Sequence, residues 1–356
     1  MSTSDKYSSR PGKILLTADP GISVPPKLYG GIERIVADLA KGLVKKGWEV
    51  GLVASKGSMV DGVKVFPWAV DQPCGPGRHV ANALTLYQAW RKFRPDVVHS
   101  FSRLFYLWPV LWAGGKAVMT YQRATGGWNL KLAQVFGRQR LQFTAISEYI
   151  AGQGRARGGN WHVVPNFVDT EKYLFVPEVL QDAPLVFLSR VEPIKGAHLA
   201  IAIAKKSGRR LVLAGNRVET GSAKGYWDKE IAPHLGKNGI SYVGEVDDLQ
   251  KNELLGKAAA LLVPVQWDEP FGIVFVEALA CGTPVISCPR GALPEILEEK
   301  KEGFLISNET EGAGAVKLIG TISREDCRRR VEKKFSLTKV SDQYIRIYEK
   351  PNAKLD

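Results

Sequence analysis

Short apolar runs rich in β-branched residues recur along this chain with a helical stretch or a loop between each pair, and few folds accommodate that alternation. The first half carries "KILLTA" from Lys13, "WEVGLVA" from Trp48, "VKVF" from Val63, "DVVHS" from Asp96, "KAVMTY" from Lys116, "FTAIS" from Phe143 and "WHVVP" from Trp161. Of the stretches between them, "GGIERIVADLAKGLVKKG" is the clearest helix, with Ile32, Ile35, Val36, Leu39 and Leu43 on one face. A polar, proline-bearing connection, "VPNFVDTEKYLFVPEVLQDAP", then interrupts the pattern. It resumes with "LVFLSRV", "RLVLAGN", "ISYVGEV", "AALLVPV" and "TPVISC", again separated by helical segments. The expected class is α/β, parallel sheets covered by helices, in two domains. We expect a disordered lead-in over 1–12, an N-terminal domain over 13–165, a linker over 166–183 and a C-terminal domain over 184–335. An amphipathic helix within 336–356 is expected to cross back to the first domain.

The length, 356 residues with 45% apolar, suits two such domains. Cys74, Cys281, Cys288 and Cys327 are scattered without metal-ligand spacing, which fits a reducing compartment and argues against a disulfide framework or a structural zinc. The N-terminus is polar, and the longest apolar run, "LFYLWPVLWAGG", is too short to span a bilayer and contains a proline. A cytoplasmic protein, soluble or peripheral at the inner face of the membrane, is expected. The net charge of +13 is unevenly placed. Residues 1–170 hold 22 Lys and Arg against 10 Asp and Glu, a net +12, whereas residues 171–356 hold 27 against 26, a net +1. A basic first half points to an anionic partner, unless the excess only solvates the surface.

Ligands of doubly wound sheets bind beyond the carboxyl ends of the strands, so residues there are the site candidates. In "ADPGISVPPKLYGGIERIV", Gly30 and Gly31 open a helix and let a phosphate approach the backbone, or else serve only as a turn. In "FLSRVEPIKGAHLA", Arg190 and Lys195 can grip a diphosphate, or one of them can pair with Glu192. In "WDEPFGIVFVEALACGTPVIS", Glu269 precedes a helix and Glu277 lies inside it, facing Ile273, Val274, Ala280 and Cys281. A carboxylate on so apolar a face must find donors, and a bound ligand is one source of them. Hydroxyls next to a diphosphate would satisfy all of these groups, which describes a nucleotide sugar.

These elements resemble the retaining, nucleotide-sugar-dependent glycosyltransferases of family 4. The matching stretches, in order, are "GGIERIV", "VPNFVD", "SRVEPIKG", "YVGEV" and "EPFGIVFVEALACGTPVI" with its E-x7-E spacing. The lead-in "ISVPPKLYGGI" is also similar to transferases that build antibiotic or surface saccharides. The resemblance implies the GT-B fold, two facing Rossmann-like domains with parallel sheets and a cleft between them. It implies that Arg190 and Lys195 hold the donor diphosphate, Glu269 contacts donor-sugar hydroxyls and Glu277 the ribose. Amides at Phe271, Gly272 and Ile273 would add bonds to sugar or phosphate. Gly30 and Gly31 would close over the phosphates, and Gly244 to Val246 would touch the base. Cations and a helix N-terminus can stabilise the leaving diphosphate without metal, and no Asp-x-Asp occurs, so no metal or other cofactor is expected beyond the nucleotide sugar as co-substrate.

The match departs where such proteins carry a second histidine two residues after the one in "VVHS". Phe101 stands there, and Gln122 occupies a further altered position in "MTYQR". A donor lacking an ordinary 6-hydroxyl is one expectation, since an aromatic ring cannot bond it. A rebuilt loop in which Ser102, Arg103 or Gln122 takes over is the other. Phe167 also replaces a common glycine. His99, Phe101, Arg103, Gln122 and Arg123 are the acceptor-side candidates. Arg123, Lys131, Arg138 and Arg140 mix with apolar residues as in interfacial helices, so the expected acceptor is a saccharide or an anionic, lipid-linked molecule, with peripheral contact to an anionic membrane. A sugar-nucleotide epimerase shares the architecture and is the alternative. A nucleic-acid-binding role lacks any helix-turn-helix, RNP or zinc pattern, and no nucleic acid is expected as partner.

Overall fold

In the computed structural model the described residues are 12–26, 30–124, 130 and 140–349. Residues 1–11 of the lead-in and most of the segment between Arg123 and Arg140, including Lys131 and Arg138, lie outside them. Two compact units divide the chain. One comprises Met1–Ile146, Ile150–Val164 and Ser341–Asp356, the other Ser147–Tyr149 and Pro165–Val340.

The first unit holds β1 (Lys13–Thr17), β2 (Glu49–Ala54), β3 (Val63–Pro67), β4 (Val97–Ser100), β5 (Ala117–Tyr121), β6 (Leu141–Ala145) and β7 (Trp161–Val163). They form one sheet in the order β3-β2-β1-β4-β5-β6-β7, with every pair parallel. Strands in such a sheet are covered on both faces, and this selects continuous apolar runs over alternating ones. Accordingly, Ile14, Leu15 and Leu16 of β1 are fully buried. The helix Gly31–Lys45 lays Ile35, Val36, Leu39 and Leu43 into that core.

The second unit holds β8 (Leu185–Leu188), β9 (Leu211–Ala214), β10 (Ile240–Tyr242), β11 (Ala260–Val263), β12 (Val285–Ser287) and β13 (Gly303–Leu305). Their order is β10-β9-β8-β11-β12-β13, again all parallel. Strand β13 is not anticipated from sequence: it is three residues long and follows "EEKKE", which hides its period. The segment around Tyr226 to Leu235, expected as a helix, is a π turn over Trp227–Ile231 followed by a 3₁₀ turn at Ala232–His234, where Pro233 prevents a regular helix.

The last helix, Leu337–Tyr348, brings Tyr344 and Tyr348 into the first unit. There they meet His99, which is wholly buried on β4. Its Nδ1 lies 2.6 Å from Tyr348 Oη and its Nε2 2.6 Å from Thr120 Oγ1. The ring also packs 4.7 Å from Tyr344 and 4.3 Å from Phe101. Burial pushes the imidazole pKa down to about 3, so it stays neutral in the folded protein. In the unfolded chain it protonates near pH 6.5. Stability is therefore complete above that value and falls as pH drops from about 6.5 towards 3, by up to about 1.4 kcal/mol per pH unit. Denaturant unfolding at pH 6.5 and pH 5 should show a loss of about 2 kcal/mol in the first unit. His99→Gln should flatten that slope, and an unchanged slope would contradict the assignment.

Candidate functional site

The second unit runs outward from β8 to β9 and β10, then returns to the other side of β8 as β11. The strand order therefore reverses between β8 and β11, the place where doubly wound sheets bind ligands beyond the carboxyl ends of their strands. The loops that follow these two strands are stitched together. Gln266 N donates to Ile194 O at 2.8 Å. Gly196, at φ 75°, sits so close to the β11 loop that a Cβ would lie 2.1 Å from Pro264 O. Only glycine fits there, and its place brings Lys195 over to the second loop.

Lys195 meets Glu269 at that junction, Nζ to Oε2 at 2.6 Å. Trp267 Nε1 donates to the same oxygen at 3.0 Å, and the ammonium lies 4.6 Å from the Trp267 ring centre. The backbone of Glu269 is fixed as well, since Ala292 N donates to its carbonyl at 2.8 Å. Just beyond, Gly272 (φ 84°) caps the helix Ile273–Ala280, whose first amides have no partner within the helix. A Cβ on Gly272 would fall 2.4 Å from the Phe275 ring.

Glu277, inside that helix, is buried as its neighbours require, but the donors come from the protein. Tyr173 Oη donates to Oε1 at 2.6 Å, and Lys251 Nζ donates to the same oxygen at 2.6 Å. The expectation that a ligand supplies the donors is thus corrected for Oε1. Sequence reading missed Tyr173, Lys251 and Trp267. Tyr173 and Lys251 stand 104 and 26 residues from Glu277, and no local spacing signals such pairs.

The other candidates fall into place around this centre or away from it. Arg190 follows β8 and is ion-paired to Glu192 at 2.6 Å, which is the alternative allowed for it from sequence. The Phe271 side chain is buried 5.9 Å from the Phe335 ring, so only its backbone is available to a ligand. Gly244 (φ 82°) and Val246 follow β10 at the edge of the sheet, and Gly244 O accepts from Gly215 N at 2.8 Å.

In the first unit the strand order reverses between β1 and β4. Asp19, after β1, accepts from Ser102 Oγ at 3.0 Å and faces Arg103 at 3.8 Å. Glu33, in the first turn of the helix that Gly30 and Gly31 open, is buried, and burial followed by the nearby Asp19 charge raises its pKa, while Arg123 opposes the rise. Gly30 has φ 153°, and a Cβ there would lie 2.6 Å from Pro26 Cβ. Arg103 and Arg123 are exposed and Gln122 half-buried just after β5. His99 and Phe101 are corrected: both are interior, Phe101 only 5% exposed against His99, and both imidazole nitrogens are engaged. The donor expectation drawn from Phe101 loses its basis, because the ring fills the core.

All four cysteines are free. Among the described residues, no cluster of three or more His, Cys, Asp or Glu could hold a metal ion, and no helix is long and apolar enough to cross a membrane.

Comparison with known proteins places this geometry. A family model described as glycosyltransferase family 4 matches residues 29–172, and one described as glycosyl transferases group 1 matches residues 171–335. A phosphatidyl-myo-inositol mannosyltransferase of Mycolicibacterium smegmatis is 29% identical over 217 residues, 55% of this chain and 54% of its own. The chain thus spans about half the length of that relative. The solved structure of a glycosyltransferase involved in avilamycin A biosynthesis superposes with a TM-score of 0.71 at 27% identity, over 95% of this chain and 97% of that one. The Anabaena protein HepE, solved with UDP and glucose, superposes with a TM-score of 0.71 at 20% identity, over 94% and 99%.

Replacing Lys195 by Met leaves the buried Glu269 carboxylate with Trp267 as its remaining donor. Urea unfolding should show a loss of about 3 kcal/mol, the cost of uncovering a buried charge. Lys195→Met with Glu269→Gln should recover most of it, whereas additive losses in the double variant would show that the two side chains are not coupled.

Proposed function

Because this chain belongs to the family 4 glycosyltransferases of GT-B fold, we propose that it moves a sugar from a nucleoside-diphosphate sugar to a saccharide, lipid-linked or small-molecule acceptor in glycan or glycoconjugate biosynthesis. The observation that carries the reading is the Lys195–Glu269 pair at the reversal between β8 and β11, with the amino end of the helix Ile273–Ala280 beside it in sequence. It offers a cation and backbone amides to a diphosphate and a carboxylate to sugar hydroxyls.

On this reading Lys195 exchanges Glu269 for a phosphate oxygen when the donor enters, and Arg190 leaves Glu192 to do the same. The freed Glu269 accepts from hydroxyls of the transferred sugar, Glu277 from the ribose, and the loop at Gly244 and Val246 lies along the base. The amides of Phe271, Gly272 and Ile273 add bonds to phosphate or sugar. As the glycosyl–phosphate bond breaks, negative charge grows on the diphosphate, and fixed cations and amides stabilise it more in the transition state than in the ground state. The reaction retains anomeric configuration: the acceptor attacks from the face the diphosphate leaves, and the departing phosphate oxygen takes the acceptor's proton. These groups suffice without a metal. The four free thiols suit a reducing compartment, and we place the enzyme in the cytoplasm.

Charge favours an anionic or lipid-linked acceptor. Val97 to Ser147 contains six Lys or Arg and no Asp or Glu. In the same stretch Trp112 is 64% exposed and Phe105 40%. Exposed aromatics in a stretch of that charge suit an anionic membrane interface. Flotation with anionic vesicles should show binding that weakens with salt, and indifference to lipid charge would refute the membrane part.

The donor is tested by thermal stabilisation with UDP, GDP, ADP and dTDP. A ligand that binds only the folded state adds about 2.7 kcal/mol at a hundredfold excess over its Kd. One nucleotide should stabilise the wild type, and Arg190→Ala should weaken the effect. With the matching nucleotide sugar, nucleoside diphosphate should be released only when acceptor is present. Interconversion of the sugar without release would favour an epimerase, and no stabilisation by any nucleotide would overturn the reading.

A further inference from the structure

We propose that Tyr173 and Lys251 are positioning residues for nucleoside recognition: they hold the Glu277 carboxylate so that Oε2 is presented to the ribose hydroxyls of the bound nucleotide. The proposal rests on the donor reading above and assigns work to two side chains that no sequence motif marks.

The first support is the asymmetry of the carboxylate. Tyr173 Oη and Lys251 Nζ both address Oε1, each at 2.6 Å. Among the described residues Oε2 receives no protein donor, although the Glu277 side chain is only 8% exposed. Oε2 is not one of the fully enclosed polar atoms that lack a partner, so it lies at the accessible edge of the carboxylate, where a ligand hydroxyl can replace water as its donor. The Lys251 ammonium and the Tyr173 hydroxyl together occupy Oε1 and leave the other oxygen to accept from a ligand.

The second support is the way Tyr173 is held. Asn252 brackets it, with Nδ2 donating to Lys172 O at 2.5 Å and Oδ1 accepting from Leu174 N at 3.1 Å. Arg328 Nη1 donates to the Tyr173 carbonyl at 2.9 Å. A tyrosine in an irregular segment would otherwise sample several positions. Here its backbone is tied on three sides, and its hydroxyl reaches one carboxylate.

The third support is continuity. Lys251 and Asn252 stand on the helix Asp248–Gly256, which begins directly after the Gly244–Val246 loop and is closed by a reciprocal cap between Asp247 and Gln250. One firmly started element thus carries the loop assigned to the base, the cation on Glu277 and the residue that fixes Tyr173.

Calorimetric titration of the full chain tests this with UDP, GDP, ADP and dTDP, the 2′,3′-dideoxy form of whichever binds most tightly, and inorganic pyrophosphate. Wild type, Tyr173→Phe, Lys251→Met and Lys251→Arg are compared. Tyr173→Phe and Lys251→Met should each lose about tenfold affinity for the full nucleotide, the worth of one well-made hydrogen bond. Both should bind the dideoxy nucleotide and pyrophosphate as the wild type does, and Lys251→Arg should keep part of the lost affinity. Unchanged affinity of both variants for the full nucleotide would overturn the positioning role while leaving the donor reading intact. An equal loss for dideoxy nucleotide and pyrophosphate would show a merely structural role and overturn it too. A wild type that binds no nucleotide would overturn both.

Discussion

A carboxylate removed from water must be given donors, and much of the second unit's local structure follows from meeting that need twice. Glu269 is met by Lys195 and Trp267, Glu277 by Lys251 and Tyr173. In each case an ammonium and one neutral donor converge on a single oxygen. The strand reversal between β8 and β11 makes the first arrangement available, because it sets two loops side by side that are 74 residues apart at Lys195 and Glu269. Gly196 permits the close approach, and the amides of the next helix add an electropositive end. Buried ion pairs of this kind contribute little net stability, so what they fix here is the position of each carboxylate.

The first unit is organised differently. Its interior histidine is neutral, bonded at both nitrogens and packed by tyrosines of the last helix, so it anchors chain rather than chemistry. Polar groups collect instead at the β1–β4 reversal, where Asp19, Ser102 and Arg103 interact directly and Glu33 feels both Asp19 and Arg123. These groups lie after strands, where a parallel sheet leaves room for them.

Much of this architecture is legible in the sequence because parallel strands buried on both faces need apolar runs, and such runs are visible by eye. All seven strands of the first sheet and five of the second are read that way, while β13 is too short and too closely flanked by charge. The need of Glu277 for donors is equally legible from Ile273, Val274, Ala280 and Cys281. The identity of the donors is not, because Tyr173 and Lys251 arrive through tertiary structure. Phe101 shows the opposite failure: a residue read as facing the donor fills the core beside His99. A single chain position gives a side chain's chemistry but not its direction, and here Phe101 packs against His99 and against Tyr344, which comes from the far end of the sequence.

The central claim is that the two glutamates and their lysines form the nucleotide-sugar site. A crystal structure of the protein with the nucleoside diphosphate that stabilises it most tests this directly. The account predicts Lys195 moved from Glu269 to a phosphate oxygen, the terminal phosphate at the first turn of the helix Ile273–Ala280, and a ribose hydroxyl on Glu277 Oε2. A nucleotide bound elsewhere, with the 2.6 Å contact between Lys195 and Glu269 intact, would contradict it.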